Sequence, residues 1–396
     1  MVDSMPTART LAAGATLDGH IYVIGGKIAP ADSVAANWVA AVERYNAQTD
    51  SWESMNDFPS QIASGACAVV DGSLYHIGGK MGPSAPSKAV YKYDPTLDSW
   101  EQKADMSNPR LNHAAVEWDG HLYVMGGTQG EGDTLTGKTL ERYDPQTDSW
   151  VQLAGMHDSR LGHAAAVVNG KIYVTGGRVG GTFLPTAEVY DPQTDQWTRL
   201  PDMPSQKIWH GMGVVEDHLY VFGGFGTGNL TLATWQYDDS LGWHDVGQDV
   251  LEFLGASVTA VAVDGDGHTC LYALGGFKGP YVGVGTGPMV TRRVEKFTPN
   301  STRIETDDLV ARSALEGYPN PFSQAITLRY TLPKAGELRL ALFNLTGQQI
   351  ATIFEGFKPV GTHELYWEGE GLARGLYLCQ LTGPEGVLLW KKLVKE

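Results

Sequence analysis

Residues 160–197 read RLGHAAAVVNGKIYVTGGRVGGTFLPTAEVYDPQTDQW, from Arg160 to Trp197. Two apolar runs flank Asn169-Gly170, a dipeptide suited to the positive φ of a tight hairpin turn. Gly176-Gly177 closes the second run, a glycine-rich loop follows, and a Tyr190-Asp191 step precedes Trp197. The same arrangement recurs along most of the chain, and that recurrence decides the fold.

Gly-Gly pairs close strand-like runs at Gly25-Gly26, Gly78-Gly79, Gly126-Gly127, Gly176-Gly177, Gly223-Gly224 and Gly275-Gly276, spaced by 53, 48, 50, 47 and 52 residues. The runs before them include HIYVI from His20, SLYHI from Ser73, HLYVM from His121, KIYVT from Lys171, HLYVF from His218 and CLYAL from Cys270. Five are preceded by Asp18-Gly19, Asp71-Gly72, Asp119-Gly120, Asn169-Gly170 or Glu216-Asp217; the sixth has the longer Asp264-Gly-Asp266-Gly-His268. After each pair come a loop, a tyrosine and a tryptophan: Tyr45 and Trp52, Tyr93 and Trp100, Tyr143 and Trp150, Tyr190 and Trp197, and Tyr237 and Trp243. The sixth copy has Phe297 and Ile304 instead.

Each copy therefore codes four short antiparallel strands, a to d from inside outward, with Asp-Pro turns between the last two in three copies. A four-stranded unit leaves apolar faces that only stacked neighbours can bury, and radial stacking gives a propeller. The tryptophan is expected to wedge between blades, worth at most about 4–6 kcal/mol if fully buried, which makes the sixth blade the weakest. The glycine pair is expected where a positive φ or close backbone approach excludes a side chain. Gly-Gly, then Tyr-Asp, then Trp at a period near 50 resembles the kelch repeat, over about residues 5–306. The expected fold is all-β: a six-bladed kelch-like propeller over residues 1–311, followed by a small β-sandwich over residues 312–396.

Ser4-Met5-Pro6 is similar to Asp57-Phe58-Pro59 and Asp202-Met203-Pro204 at the ends of outer strands. Either a preceding strand or residues near Ser301 to Thr306 would then complete the ring. From about Ala311 the composition changes: residues 312–396 carry a net +1, the rest −17. Alternating runs at Ile326–Leu332, Leu338–Phe343, Gln349–Phe354, His363–Trp367, Gly375–Leu381 and Val387–Val394 give six or seven strands. Tyr318-Pro319-Asn320-Pro321-Phe322, the FNLTGQQI from Phe343, the segment through Gly375 and Tyr377, and the closing Lys391-Lys392-Leu393-Val394 resemble the type A C-terminal sorting domain of type IX secretion substrates in Bacteroidetes-like bacteria. Phe322-Ser323-Gln324 departs from the Phe-Asn-Pro more usual there. The resemblance implies a secreted or cell-surface protein handled by the type IX secretion machinery. Residues 1–30 lack a signal peptide's charged start and apolar core, so one is expected to precede the sequence.

A formal net charge of −16 argues against nucleic acid or an anionic membrane as partner. No run reaches the length of a transmembrane segment. Cys67, Cys270 and Cys379 stand far apart in apolar runs and are expected to be buried thiols. There is no GxSxG and no Walker-type Gly-Lys-Ser/Thr; neither a cofactor nor a metal is expected. Kelch-like copper oxidases use a cysteine-tyrosine pair with histidines, and Cys67 and Cys270 do not reproduce that arrangement.

Strand alternation puts the b-c loops, near 27–39, 80–88, 128–138, 178–186, 225–233 and 277–291, on the same face as the start of strand a. These loops vary, as loops on a binding face do. Aligned at the start of strand a are Arg9, Arg110, Arg160 and Lys207, followed three residues later in the last three by His113, His163 and His210, with Asn112 and Trp209 between. A ring of cations, imidazoles and an aromatic suits a carboxylate-bearing or polyhydroxylated ligand. The same residues read equally as part of the repeat itself, satisfying backbone groups and acidic neighbours. Three histidines in equivalent positions of neighbouring blades are too dispersed for a metal, and Asp264-Gly-Asp266-Gly-His268 lacks the later glutamate of a calcium loop. The resulting expectation is a non-catalytic module binding an extracellular protein or glycan through this face. The alternative is a sugar isomerase or mutarotase using the Arg/His ring.

Overall fold

The computed structural model divides into two compact units, Met1–Pro299 and Asn300–Glu396. It describes residues 3–28, 38–82, 85–130, 136–226, 233–239, 242–246, 258–278, 289–290, 294–298, 315–332, 336–344, 348–359, 361–369, 371–383 and 386–396. The expected boundary at Ala311 and the segment 301–306 lie outside these residues. Both units are built from strands, and no helix among the described residues is long and apolar enough to cross a membrane.

In the stretch from Arg160, Ala164–Val168 and Lys171–Thr175 pair antiparallel with Val168 opposite Lys171, so Asn169 and Gly170 alone turn the chain. Both have positive φ, 51° and 73°, as the dipeptide required. Ala187–Asp191 and Gln196–Leu200 complete the four-stranded meander. Its second strand is buried at four successive residues while its outermost is mostly exposed. That gradient explains why the second strand is a continuous apolar run rather than an alternating one.

Among the described residues five sheets have this four-stranded form. Among the described residues the sixth shows three strands, Val258–Val263, Thr269–Leu274 and Val294–Phe297, and the place of the expected fourth lies outside them. The innermost strands adjoin one another in chain order, and Val258–Val263 returns to Ala13–Leu17. There the Thr16 hydroxyl donates to the Val261 carbonyl at 2.7 Å, closing the ring.

The tryptophans join the sheets, though not as buried wedges. Trp197 is half-buried, tilted on Tyr190 at 5.0 Å, and its indole N–H donates to the Ala154 carbonyl of the preceding sheet at 2.8 Å. The Tyr190 hydroxyl donates to Asp195, which accepts the Ala154 amide at 2.9 Å. Tyr143, Asp148 and Trp150 grip Ala104 in the same way. In the first sheet Tyr45, Asp50 and Trp52 grip Asp3. Asp3 to Met5 thus takes the place that Ala104 to Met106 takes between later sheets, with Met5 fully buried against Val258, Ala260 and Tyr272.

Gly176 shows why the pair is glycine. Its φ is +61°, and an added Cβ would lie 2.4 Å from the Lys207 carbonyl oxygen and 2.7 Å from the His210 ring. The next amide, Gly177 N–H, donates to that carbonyl at 2.7 Å, tying one sheet to the next. Gly176→Ala is expected to cost about 3 kcal/mol, read as a lower urea midpoint. Gly120→Ala, with φ +73° but open space around it, should cost only about 1–2 kcal/mol from the backbone.

In the second unit, Leu315–Tyr318, Ala325–Leu332 and Gly361–Glu368 form one sheet. Gln349–Lys358, Gly336–Phe343, Gly375–Gly383 and Gly386–Lys395 form the other. One core, including Phe322, Ile326, Leu328, Leu340, Leu342 and Leu393, draws on both.

Candidate functional site at the mouth of the ring

The cations at the start of strand a lie inside. Arg160 is 1% exposed; one guanidinium nitrogen donates to the Gly176 and Thr186 carbonyls at 2.7 and 3.1 Å, and the other to Glu188 at 2.7 Å. Arg9 makes the same contacts with Gly25, Ala41 and Glu43, and Arg110 with Gly126 and Glu141. Lys207 reaches the Gly223 carbonyl at 2.7 Å and lies 4.5 Å from the ring centre of Trp235, which stands where other sheets have glutamate. In the second sheet the two positions are Ile62 and Tyr91, without charge. The expectation that Arg9, Arg110, Arg160 and Lys207 offer charge to a ligand is therefore not met by their geometry. A ligand carboxylate would reach Arg160 only by displacing Glu188. Burial by itself would raise the Glu188 carboxyl, but Arg160 and the His157 amide outweigh it and hold the group below the usual carboxylate range.

The histidines are buried as well, at 6–7% exposure. Each leans on the glycine pair of the preceding sheet: His113 on Gly78, His163 on Gly126, His210 on Gly176. The His210 ring meets the Thr175 hydroxyl at 2.8 Å. Burial lowers His210 to about 3 and takes His113 and His163 well below their ordinary value, with neighbouring Arg110 and Arg160 adding to it. In the second sheet Gly65 stands at the histidine position, and His76 from the adjacent strand fills the space, also lowered by burial to about 3. Neutral imidazoles of this kind pack the joints between sheets. Among the described residues the group that gathers possible metal ligands within 4.8 Å is Asp264, Asp266 and His268. There Asp264 accepts the amides of Asp266 and His268 and pairs with Lys296. Burial opposes the charge, but Lys296 and the amides win and the carboxyl falls to about 2, so the loop is organised by its own contacts.

What surrounds the mouth is a backbone device. Leu11, Ser64, Asn112, Gly162 and Trp209, two residues into each strand start, all have φ between 54° and 63°. The Ser64 amide donates to Leu11, Asn112 to Ser64, Gly162 to Asn112 and Trp209 to Gly162, at 2.7–2.8 Å, linking five sheets head to tail. The Trp209 indole lies over Gly162, where a Cβ would stand 2.9 Å from its Nε1. Asn112 and Trp209 are half-buried and so reach the mouth.

A second row borders the first. The residues after the glycine pairs, Lys27, Thr128, Arg178 and Phe225, pair with Thr10, Leu111, Leu161 and Ile208, and Lys80 pairs with Ala63. Lys27, Lys80 and Arg178 are half-buried, and none has a carboxylate partner among the described residues. Lys27 and Lys80 share Trp38, with ammonium groups 4.3 and 5.9 Å from its ring centre. Phe225 meets Phe183 edge to face at 5.6 Å. The sequence reading missed this row, although its signal, a cation directly after Gly-Gly, was there to find. Much of the b-c loops beyond it lies outside the described residues.

In the second unit the sorting-like motifs meet. The Asn320 side chain donates to the Lys392 carbonyl at 2.9 Å and accepts the Val394 amide at 2.8 Å. The Phe322 amide donates to Val394 and its carbonyl accepts Glu396 N–H, both at 2.9 Å. Phe322 is 1% exposed, whereas Tyr318, 43% exposed, donates its hydroxyl to Glu364. Pro319 and Pro321 flank Asn320, both exposed. Lys391 and Lys392 lie opposite Cys379 and Leu378, and Gly375 opposite Lys395.

Comparison with known proteins follows this division. Residues 10–224 and 112–282 match the family described as the KLHDC2/KLHL20/DRC7 Kelch-repeats domain. Residues 316–396 match the secretion system C-terminal sorting domain. No curated protein matches. Among solved structures, one titled "Structure of YjhT" is similar over 75% of this chain and 97% of its own, with a TM-score of 0.62 and 18% identity; at that identity the likeness is one of fold.

Proposed function

The chain belongs to the kelch-repeat family and carries a sorting domain that marks it for type IX export to the cell surface or beyond, and from that premise we propose that it is a non-catalytic module binding an extracellular protein or glycan. The binding surface is the mouth formed by Asn112, Trp209 and the row after the glycine pairs. The observation that carries this reading is the set of half-buried cations Lys27, Lys80 and Arg178 left without carboxylates among the described residues of an acidic chain. Ion pairs elsewhere in the first unit, such as Arg44 with Glu53 and Lys171 with Asp191, do have them. Loops on a rigid scaffold are where such surfaces are built.

Trp209→Ala and Arg178→Ala, tested against arrays of purified glycans and secreted proteins, should weaken capture of a bound ligand at least tenfold while melting stays within a few degrees. Turnover of a sugar that disappears in the same variants would instead favour the isomerase alternative. Ligands bound equally well by both variants would overturn the assignment of the mouth.

A further inference from the structure

Resting on that reading of the mouth, we propose that Lys27 and Lys80, with Trp38 between them, form a subsite for an anionic group, a carboxylate or sulfate ester, carried on an otherwise neutral glycan. Two ammonium groups from different sheets lie within 6 Å of one indole centre. The arrangement is held from the backbone: Lys27 exchanges hydrogen bonds with Thr10 at 2.8 and 3.0 Å, and Lys80 pairs with Ala63. Trp38, 7% exposed and bridged to Lys27, is a fixed floor. A cation over an indole is attracted to the ring face, but two cations over one indole repel each other. Burial, and then Lys80, pushes the Lys27 ammonium below its usual range. An anion set between the two ammonium groups removes that repulsion and accepts hydrogen bonds from both.

The chain supplies no such anion among the described residues, although acidic side chains outnumber basic ones by 45 to 29. The same excess selects the ligand. A polyanion would be repelled by the net −16, whereas a single anionic group sits within a Debye length, about 8–10 Å, of the two lysines and feels mainly them. The rest of such a ligand meets aromatic faces, since Trp209 and the Phe183–Phe225 pair lie on other sheets of the same mouth. Indole and phenyl rings suit the C–H faces of sugar rings better than the polar backbone of an acidic peptide.

The test uses the full chain and calorimetric titration with a neutral oligosaccharide, its uronate-capped and sulfated forms, and an acidic peptide. Sodium sulfate against sodium chloride at equal ionic strength reports the bare anion. The charged glycans should bind at least tenfold more tightly than the neutral one. Lys27→Gln/Lys80→Gln should remove that difference, and Lys27→Arg/Lys80→Arg should restore most of it; Lys80→Gln alone gives a second reading should the double variant fold poorly. Equal affinity for charged and neutral glycans, or a preference that survives both glutamine variants, would overturn the subsite. Equal or tighter binding of the acidic peptide would overturn the glycan assignment. If neutral ligands bind and depend on Trp209 but show no charge preference, the subsite falls and the binding module stands; if no ligand responds to Trp209 or to the lysines, both fall.

Discussion

Replacing Glu188 by alanine is expected to lower the free energy of unfolding by about 3–5 kcal/mol, the range for removing one partner of a buried ion pair. Arg160 would remain 1% exposed with its nearer counter-charge gone, leaving among the described residues only Asp158 at 3.5 Å, which Arg199 shares, and the amides of His157 and Asp158 would lose the carboxylate that accepts them at 2.8 and 3.1 Å. The loss comes from stranding what is left, not from the worth of the pair itself. The second sheet makes the point internally, because Ile62 and Tyr91 occupy the same two positions and the sheet forms without either charge. Arg160→Ile/Glu188→Tyr, which copies that sheet, should therefore cost much less than the single change, about 1–2 kcal/mol for the two unsatisfied amides. Urea midpoints of the wild type, both single variants and the double give the coupling between the two positions. Additive losses would show that Arg160 and Glu188 act independently, against the geometry.

This pair also marks the border of what the sequence discloses. The turns at Asn169-Gly170 and Asp119-Gly120, the glycine pairs and the Tyr-Trp spacing were legible because each is a local demand, on φ or on one side chain. The glutamates were legible only in part. Glu43, Glu141 and Glu188 stand two residues before a tyrosine in three copies that also carry arginine, yet only the strand register shows that the two positions touch. Without it, an arginine at a channel mouth reads as a ligand contact. The ring through Leu11, Ser64, Asn112, Gly162 and Trp209 was harder still. Its requirement falls on the backbone, so the side chains share no chemistry that a pattern could reveal. In the tail, strand alternation gave the runs, but nothing local announces that Asn320 fastens to Lys392 and Val394. Lys27 and Lys80 carry a local mark, a cation directly after Gly-Gly, but Thr128 and Phe225 interrupt it in other copies, so it does not read as part of the repeat.

Between pH 7 and pH 4.5 the propeller is expected to lose several kcal/mol of stability, and the buried histidines set the slope. An unfolded histidine takes up its proton near pH 6.5. In the folded ring, burial holds His76 and His210 down to about 3, and His113 and His163 well below the ordinary value. Below pH 6.5 the unfolded chain therefore binds protons that the folded chain refuses, so stability is complete above that pH and falls as the pH drops through the window down to about 3. His76 and His210 each contribute about 1.4 kcal/mol per pH unit below 6.5, or about 2–3 kcal/mol at pH 4.5, and His113 and His163 add in the same direction. Glu188, held below its usual range, acts in the same direction at still lower pH. Urea midpoints measured at steps from pH 7.5 to 4.5 should fall steadily below 6.5. His163→Leu removes one titrating group from the joint over Gly126 and should flatten that slope by about a quarter, even if it lowers stability at pH 7. A slope unchanged in His163→Leu would place the acid sensitivity elsewhere.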